Sequence, residues 1–535
     1  THEAISLALN IPHHSVNMKV ARCGGGYGLK LTKINLPSVA CSLAAYLLRQ
    51  PVRMVTTIEE TMEATGKRCD IYAQYEASVN QVGQIQSMTV NLYEDKGSSN
   101  NDPVIGGFTL PAIPNIYDSS TWKVSGYNVR TNKASSAWAR APGTLEGIAI
   151  TEHIMEHIAK EVNLDPTTVR LNNTEPGKYP IADMINQVKT KADYNNRLAA
   201  VNTFNSKNAW KKRGISVLPM RFPLPYFGNY NAMVSVYRND ATVALVHGGI
   251  EIGQGLNTKA VQACAKELVI PLKYISVKPS NNLTAPNNAF TGATVTSESV
   301  VLGVIKACTV LNQRLQPVRD KLTNPTWEEV ITQAYADNVD LNASAMMSPL
   351  DNVSEYSVFG VAVTEVEIDV LTGEHKVIRV DLLEDAGQAL SPLIDIGQCE
   401  GAFIMGLGCF TSEELQYDPQ TGQLKTNRTW NYKVPGAKDI PIDFRVYLLK
   451  NSSNPLGVLR SKAVGEPPLC LALSVLSAIR YAVQSARTDM GLPDKWIPGF
   501  CKYEMVFQTV KWLVVSRGQT NIVFSTLKKK RKIFF

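Results

Sequence analysis

The chain has 535 residues, of which 44% are hydrophobic and 19% are charged, a balance typical of a globular protein rather than a disordered one. The net charge is +7, and because five positive charges lie in the run 528–532, the sequence gives no reason to expect nucleic-acid binding. The longest strongly apolar stretch, residues 469–479, is shorter than the roughly 20 residues that span a bilayer, so we expect no membrane association.

Strand and helix patterns alternate along the chain. In the first third they predict a helix over 3–9, a strand over 18–23, a helix over 39–48, strands over 69–95 that bend at Gly83, and a helix over 143–162. After a polar, turn-rich stretch at 175–213, they predict hairpins over 233–247 and 359–383 and helices over 256–268, 395–415 and 467–483. This order predicts an α+β fold with lobes at 1–185 and 186–497 and a divergent tail at 498–535.

Two glycine-rich turns, at 24–28 and 248–255, each follow a predicted strand. Glycine lets the backbone approach a ligand closely, and the N–H groups at a helix start favour anions such as phosphate. Neither turn has the spacing of a dinucleotide fingerprint or of a P-loop, so each is equally compatible with a purely structural role. A third cluster, 291–297, places four hydroxyl groups before a helix, where they indicate either a polar cofactor site or an elaborate N-cap.

The segment His153-Ile154-Met155-Glu156-His157 fits the His-x-x-Glu-His pattern, in which two histidines bind zinc and the glutamate acts as a base. Its apolar neighbours on a long amphipathic helix favour a different interpretation, a surface face of that helix. No flanking feature indicates a third zinc ligand.

Glu466 precedes two prolines and an apolar helix. Proline is well placed at the first helical position, so one interpretation is a carboxylate that caps the helix. The other is a catalytic base, whose pKa burial would raise toward its working pH. Spacing alone does not choose between them.

Taken in order, six motifs resemble the molybdenum-cofactor region of the xanthine dehydrogenase and aldehyde oxidase family. They are residues 24–30, 140–147, 247–259, 291–297, 395–408 and 461–468. The resemblance extends from about residue 1 to about residue 497. It implies two mixed α/β lobes with the cofactor cavity between them, the first lobe being truncated at its N-terminus.

Particular residues receive roles from this resemblance. Glu466 matches the family's catalytic glutamate, and Arg140 would donate to oxygen ligands of the metal or to substrate. The cofactor-binding set that it implies is Tyr27, Gly28, Arg140, Gly253, Gln254, Gly255, Thr291, Gly292, Ala293, Thr294, Thr296, Ser297 and Gln398. Molybdopterin would hold the molybdenum, with no protein side chain as a direct ligand.

The implied activity is the oxidation of an aldehyde to a carboxylic acid with water as the oxygen source, Glu466 acting as general base. The resemblance also implies [2Fe–2S] clusters and FAD on modules that precede this region. It further implies a cytoplasmic homodimer that acts on a small-molecule aldehyde.

Substrate-pocket positions depart from the purine-oxidising branch of the family. That branch has a glutamate where this chain has Leu31 and an arginine where it has Phe108, and apolar groups there favour an aldehyde over a purine. The segment 138–143 resembles insect aldehyde oxidases, in which Pro142 replaces an aromatic wall, and Tyr226 or Phe227 would supply the other wall. Purine oxidation and an inactive truncated chain that only binds or dimerises are the alternative predictions.

Overall fold

The computed structural model describes residues 1–492, Trp496 and residues 531–534, the last four by their backbone alone. The predicted tail at 498–535 therefore lies outside the described residues, except for 531–534.

Helices and strands are interspersed along the whole described chain, which confirms the predicted α+β class. The helices are α1 (His2–Leu9), α2 (Leu29–Thr32), α3 (Asn35–Leu48), α4 (Ile58–Ala64), α5 (Leu110–Ala112), α6 (Thr144–Val162), α7 (Pro166–Asn172), α8 (Ile181–Lys191), α9 (Tyr194–Lys207), α10 (Leu256–Leu268), α11 (Thr296–Arg319), α12 (Trp327–Ala336), α13 (Pro392–Phe410), α14 (Pro467–Leu471) and α15 (Leu473–Asp489). The strands are β1 (Lys19–Val20), β2 (Ile71–Val79), β3 (Ile85–Asp95), β4 (Trp122–Val129), β5 (Lys211–Leu224), β6 (Tyr230–Val236), β7 (Val243–His247), β8 (Ile275–Val277), β9 (Ser280–Asn281), β10 (Asn342–Met347), β11 (Tyr356–Asp369), β12 (His375–Glu384), β13 (Asp443–Leu448) and β14 (Arg531–Phe534).

Most of these strands belong to sheets of four. The orders are β14-β2-β3-β4, β10-β6-β7-β8 and β13-β12-β11-β5, and β1 pairs with β9 in a separate two-stranded ribbon. We call the third of these the central sheet. It is antiparallel between β5, β11 and β12, and parallel between β12 and β13.

Both faces of the central sheet are buried. Alternate residues of β5 belong to different cores: Ile215 and Val217 pack with the helix α6 side, whereas Leu218 and Met220 pack with α13, α14 and α15. Because neither face meets water, the strand has no polar–apolar alternation for a sequence pattern to detect. The sequence consequently did not predict β5, and it assigned polar turns to 175–213, where α8 and α9 lie.

A third core joins the sheet β10-β6-β7-β8 to α10, α11 and α12. Val234 and Leu245 on the sheet and Val304 and Leu311 on α11 are fully buried there. This arrangement places the first turn of α11 at the edge of the region where the cores meet, and the 291–297 cluster leads into that turn, its last two residues being the first two of α11.

Helix α6 is buried on all sides, since every residue from Thr144 to Ala159 is buried. The prediction that His153 and His157 lie on a surface face is therefore wrong. The polar groups are tolerated because they are paired: His153 Nδ1 lies 3.1 Å from Arg480, and Arg170 contacts Glu156 at 2.6 Å. Among the described residues no three His, Cys, Asp or Glu side chains are grouped as metal ligands, which removes the basis for a zinc site.

Three helical segments of the described residues are long and apolar enough to cross a membrane by length and composition. They are Leu29–Leu48, Pro392–Phe410 and Pro467–Asp489. The sequence argument from one contiguous apolar run missed them. Pro467–Asp489 is 83% buried, so its apolar surface belongs to the core, whereas none of Leu29–Leu48 is buried. The expected lack of membrane association stays a prediction.

Candidate cofactor and active site

One cavity, with a volume of about 810 Å³, is bounded by residues from both predicted lobes. That volume suits a ligand or cofactor, since such pockets typically occupy about 300–1,000 Å³. The predicted site residues that line it are Tyr27, Gly28, Leu31, Phe108, Arg140, Pro142, Phe227, Gly253, Gln254, Thr291, Gly292, Ala293, Thr294, Thr296, Ser297, Gln398 and Glu466. Gly255 and Tyr226 are the two predicted residues that are not part of the lining.

A larger cavity of about 1010 Å³ lies beside α2, α3 and α4 and shares Tyr27 with the first one. Its lining includes neither Glu466 nor any residue of the 291–297 cluster. We therefore take the smaller cavity as the candidate site, because the groups that could do chemistry converge there.

Glu466 occupies the N-cap position of α14, but its side chain makes no capping hydrogen bond. Pro467 and Pro468 follow it, and prolines have no N–H that a cap could satisfy. The residue lines the cavity instead and is half-buried there. Of the two interpretations left open by spacing, the geometry thus favours a functional carboxylate over a helix cap.

Burial raises the pKa of Glu466, while the nearby Ala141 N–H, Arg140 and Arg68 act in the opposite direction. The two cations do not pair with it directly. Arg68 contacts Glu146 at 3.1 Å, and it donates a second hydrogen bond to the Arg140 carbonyl oxygen at 2.7 Å.

Arg140 joins three walls of the cavity. Its Nε donates to the Gly465 carbonyl oxygen at 2.6 Å, and its Nη2 donates to the Gln398 carbonyl oxygen at 3.3 Å. Its backbone N–H donates to the Tyr27 carbonyl oxygen at 2.8 Å. The guanidinium therefore holds the residue before Glu466 in place, in addition to any contact with a bound group that the resemblance implies.

In the first glycine turn, Gly28 is a position that another residue could not occupy without strain. Its φ is +88°, and a Cβ there would lie 2.8 Å from the Trp138 carbonyl oxygen. The turn after β1 is thus packed directly against the segment that carries Arg140.

The turn at 248–255 is organised by Glu251 and Gln254. The Glu251 carboxylate accepts hydrogen bonds from the N–H groups of Gly253 at 2.9 Å, Gly255 at 3.1 Å and Asn257 at 2.9 Å. Gln254 accepts from the Ile252 N–H at 2.7 Å. These amides already have an acceptor, so the start of α10 supplies shape rather than open donors for a phosphate.

The 291–297 cluster provides open donors. Ala293 and Thr294 both have positive φ, 48° and 58°, so two successive N–H groups turn toward one side of the chain. These two amides donate to no other residue in the part of the chain that the structure describes. Successive amides in such a turn form a concavity that binds anions, and the N-terminus of α11 adds its dipole.

A row of aromatic rings forms the other side of the cavity. Phe227 and Phe290 have ring centroids 4.9 Å apart, Phe290 and Trp138 5.9 Å, and Trp138 and Phe108 6.0 Å. Leu31 and Pro142 also line the cavity. Trp138 and Phe290 were not predicted as pocket residues, since each becomes part of the wall only through contacts between distant segments.

Tyr226 lies behind this wall. Its ring packs against Tyr356 at 5.9 Å, and its hydroxyl donates to Glu298 at 3.2 Å. Desolvation and the neighbouring Glu298 raise its pKa far above the usual range. It is therefore a half-buried partner of a carboxylate, and of the two alternatives predicted for the second aromatic wall, Tyr226 and Phe227, it is Phe227 that lines the cavity.

Five charged cavity residues were not among the predictions: Lys259, Glu298, Asp395, Glu413 and Lys462. Lys259 pairs with Asp395 at 2.7 Å with both side chains buried, and Glu298 lies in the first turn of α11. Lys259 and Asp395 each fall inside a recognised motif, so their position was the available signal. Glu298 directly follows the 291–297 cluster, and no pattern in the sequence distinguishes it from an ordinary acidic residue in the first turn of a helix.

The residues present fit a molybdenum–pterin group. The open amides of Ala293 and Thr294 suit its phosphate, and at Gly253 no atom lies within 4 Å of where a Cβ would be, which leaves space on the cavity side. Glu466 also lines this cavity, and its carboxylate does not cap the helix that follows it.

Sequence-family comparisons agree with this geometry. Two family models, each described as a molybdopterin cofactor-binding domain, match residues 1–174 and 187–441. Residues from both matched regions line the cavity. The predicted boundary between lobes at 185–186 stays a prediction.

Known relatives extend well beyond this chain. A xanthine dehydrogenase/oxidase from Felis catus is 35% identical over 538 residues, which cover 95% of this chain and 39% of that protein. An aldehyde oxidase 3 from Mus musculus is 34% identical over 522 residues, covering 93% of this chain and 39% of that protein.

The fold is also that of a solved enzyme structure. Quinoline 2-oxidoreductase from Pseudomonas putida 86 aligns with a TM-score of 0.82 at 19% identity, covering 95% of this chain and 70% of the other. The two matched domains, the shared fold and the relatives point to one conclusion: this chain belongs to the xanthine dehydrogenase and aldehyde oxidase family, within its molybdopterin cofactor-binding region.

Proposed function

We propose that this chain forms the catalytic region of a molybdenum hydroxylase that oxidises aldehydes to carboxylic acids, with water as the oxygen source. The observation that carries the proposal is the position of Glu466, which faces the same cavity as the open amides of the 291–297 cluster and an aromatic wall. When bound there, the molybdenum cofactor supplies activation of water and a two-electron acceptor.

Glu466 acts in this proposal as the general base. A base works best when its pKa lies near the pH of the reaction, and burial shifts the pKa of this carboxyl in that direction. Arg140 keeps the adjacent Gly465 carbonyl fixed, which limits the directions in which the Glu466 side chain can point. Phe227, Phe290 and Trp138 make the rest of the wall apolar.

An apolar wall favours an aldehyde as the substrate. A purine presents several hydrogen-bonding groups, and leaving them unpaired against Leu31 and Phe108 would cost binding free energy. An aromatic or aliphatic aldehyde needs to place only one carbonyl oxygen in a polar environment, while its remainder contacts the rings.

The complete enzyme in this proposal is longer than the chain. Because the chain spans 39% of the length of relatives in this family, we propose that [2Fe–2S] clusters and FAD outside it carry electrons away, in a cytoplasmic homodimer.

Glu466→Gln tests the base directly. General-base catalysis contributes about 10²–10⁴-fold to a rate, so we expect kcat for aldehyde oxidation to fall by that factor while molybdenum content stays that of the wild type. The measurement is steady-state aldehyde turnover of the full-length protein, with metal content determined on the same preparation.

Glu374→Gln serves as the matched control, since Glu374 is exposed at the turn between β11 and β12, away from the cavity. This variant should oxidise aldehyde at the wild-type rate.

A pH dependence of the wild-type enzyme is a second expectation. Because a base must be ionised, wild-type activity should fall as the pH drops through the pKa of Glu466, which lies above that of an ordinary carboxyl. Unchanged turnover in Glu466→Gln would remove the residue from the mechanism.

A further inference from the structure

A buried carboxylate that has no part in the proposed chemistry also lines the cavity. Glu298 belongs to the first turn of α11 and is 2% exposed. One carboxylate oxygen accepts hydrogen bonds from the hydroxyls of Tyr356 at 2.7 Å and Tyr226 at 3.2 Å. The other accepts from the Ser461 hydroxyl at 2.8 Å, across a sequence separation of 163 residues. Three donors thus converge on one side chain.

These contacts reach the loop that ends at Glu466. Ser461 is its first residue, and the Ala463 N–H donates to the Tyr356 hydroxyl at 2.8 Å. Tyr356 therefore links Glu298 to the loop a second time, accepting from Ala463 while donating to the carboxylate. On the far side, the Arg140 guanidinium holds the Gly465 carbonyl. The segment 461–465 is consequently anchored at both ends.

The environment of Glu298 combines burial with these donors. Burial raises its pKa to about 7, and the hydroxyls of Tyr356, Ser461 and Tyr226 and the charge of Lys259 act in the opposite direction. An ionised carboxylate accepts all three hydroxyl hydrogen bonds with a full negative charge, whereas protonation occupies one lone pair and removes that charge. Hydrogen bonds to a charged acceptor are stronger than neutral ones, so ionised Glu298 anchors the loop best.

We infer that Glu298 is a positioning residue, which fixes the 461–466 loop through Ser461 and Tyr356 and so aims Glu466 into the cavity. The inference deepens the proposed function and rests on it for the role of Glu466, but the anchoring itself is a property of this chain alone. Glu298 acts through other residues, and no direct contact between it and Glu466 is required.

The test uses the full-length protein with Glu298→Ala, Glu298→Gln and Tyr356→Phe, and with Glu374→Gln as the control. Glutamine keeps the shape of the side chain and removes its charge, whereas Tyr356→Phe removes only the linking hydroxyl. Amide hydrogen–deuterium exchange of a peptide spanning 461–466 reports the anchoring without any need for turnover. Aldehyde turnover of the same preparations separates kcat from KM.

We expect exchange in 461–466 to rise by about tenfold or more in Glu298→Ala, and less in Glu298→Gln and Tyr356→Phe. We expect kcat to fall with KM nearly unchanged, because the base is misplaced while the aromatic wall is intact. Glu374→Gln should match the wild type in both measurements.

Wild-type exchange in 461–466 for both Glu298→Ala and Tyr356→Phe would overturn the inference, whatever the activity. A change confined to KM would also overturn it, since that result would assign Glu298 to substrate binding. If instead exchange rises as expected but the wild-type protein, loaded with molybdenum, oxidises no aldehyde, the proposed function fails and the anchoring role stands.

Discussion

Ala141 has a φ of 59°, a conformation that costs a non-glycine residue free energy and is uncommon outside turns and functional sites. It follows Arg140 directly, and its N–H lies near enough to Glu466 to lower the pKa of that carboxyl. The residue is fully buried, so surrounding structure holds the strained backbone in place. Ala141 and Arg140 thus place a hydrogen-bond donor and a positive charge beside the proposed base.

Substitution of Leu31 and Phe108, two apolar residues of the cavity wall, tests the proposed substrate class. We expect Leu31→Glu combined with Phe108→Arg to lower kcat/KM for an aromatic aldehyde about tenfold or more, because charged groups replace apolar contacts. Hydroxylation of a purine should rise in the same variant, since the new side chains can pair with its polar edge. Steady-state kinetics with both substrates provides the measurement.

Leu31→Met with Phe108→Leu is the appropriate control, as it preserves the apolar character of both positions and should retain aldehyde turnover. If the charged pair leaves aldehyde kinetics unaltered, these side chains do not contact the substrate. Purine oxidation by the unmodified protein would contradict the proposed substrate class.

At the scale of elements, the sequence predicted those with clear periodicity or turn signals. The hairpin of β6 and β7, helix α10, the hairpin of β11 and β12, and α13 all lie where they were predicted, with ends that differ by a few residues. The strand β5 was missed because burial on both faces removes alternation, and α6 was placed on the surface because its polar residues were assumed to meet water. In each case a tertiary contact decided the outcome.

The residues of the candidate site also fall into two groups, those that the sequence predicted and those that it did not. Residues within contiguous motifs, such as the 291–297 cluster, were named from the sequence and line the cavity. Glu298, Trp138 and Phe290 were not predicted as cavity residues, since the position of each depends on a partner far along the chain; the bond from Ser461 to Glu298 spans 163 residues. The functional roles of all these residues stay predictions.

Helix α13 carries glycines with different surroundings, which allows a matched stability test. A Cβ at Gly406 would lie 2.3 Å from the Leu469 carbonyl oxygen, so α13 and α14 pack in close contact there. We expect Gly406→Ala to lower the free energy of unfolding by about 1–3 kcal/mol, as overpacking usually does. Denaturant unfolding followed by circular dichroism measures the change.

Gly397 on the same helix is exposed, and no atom lies within 4 Å of where a Cβ would be, so Gly397→Ala is the control. Alanine should there raise the free energy of unfolding by about 0.5–1 kcal/mol through its better helix propensity. Equal effects of the two substitutions would show that α13 and α14 do not pack this closely. Since α14 starts directly after Glu466, that packing also supports the catalytic loop.

At the scale of the whole molecule, the cavity lies where three hydrophobic cores meet. No single core surrounds it: of its lining residues, Phe108 packs with the α6 side and Phe222 with α13 to α15, while Tyr226, behind the wall, packs with the α10–α11 side. A site built at such a junction draws its residues from positions far apart along the chain, from Tyr27 to Glu466. Because each loop is attached to a packed core, residues of different loops face one another across the cavity.

The proposed function depends above all on whether this cavity of about 810 Å³ holds a molybdenum cofactor beside Glu466. A crystal structure of the full-length protein, with anomalous diffraction recorded on both sides of the molybdenum absorption edge, would answer that question. We expect one anomalous peak inside the cavity, within reach of Glu466 and surrounded by Tyr27, Gln254 and Gln398. A molybdenum peak in the larger cavity beside α3, or none in protein shown to contain the metal, would contradict the proposal.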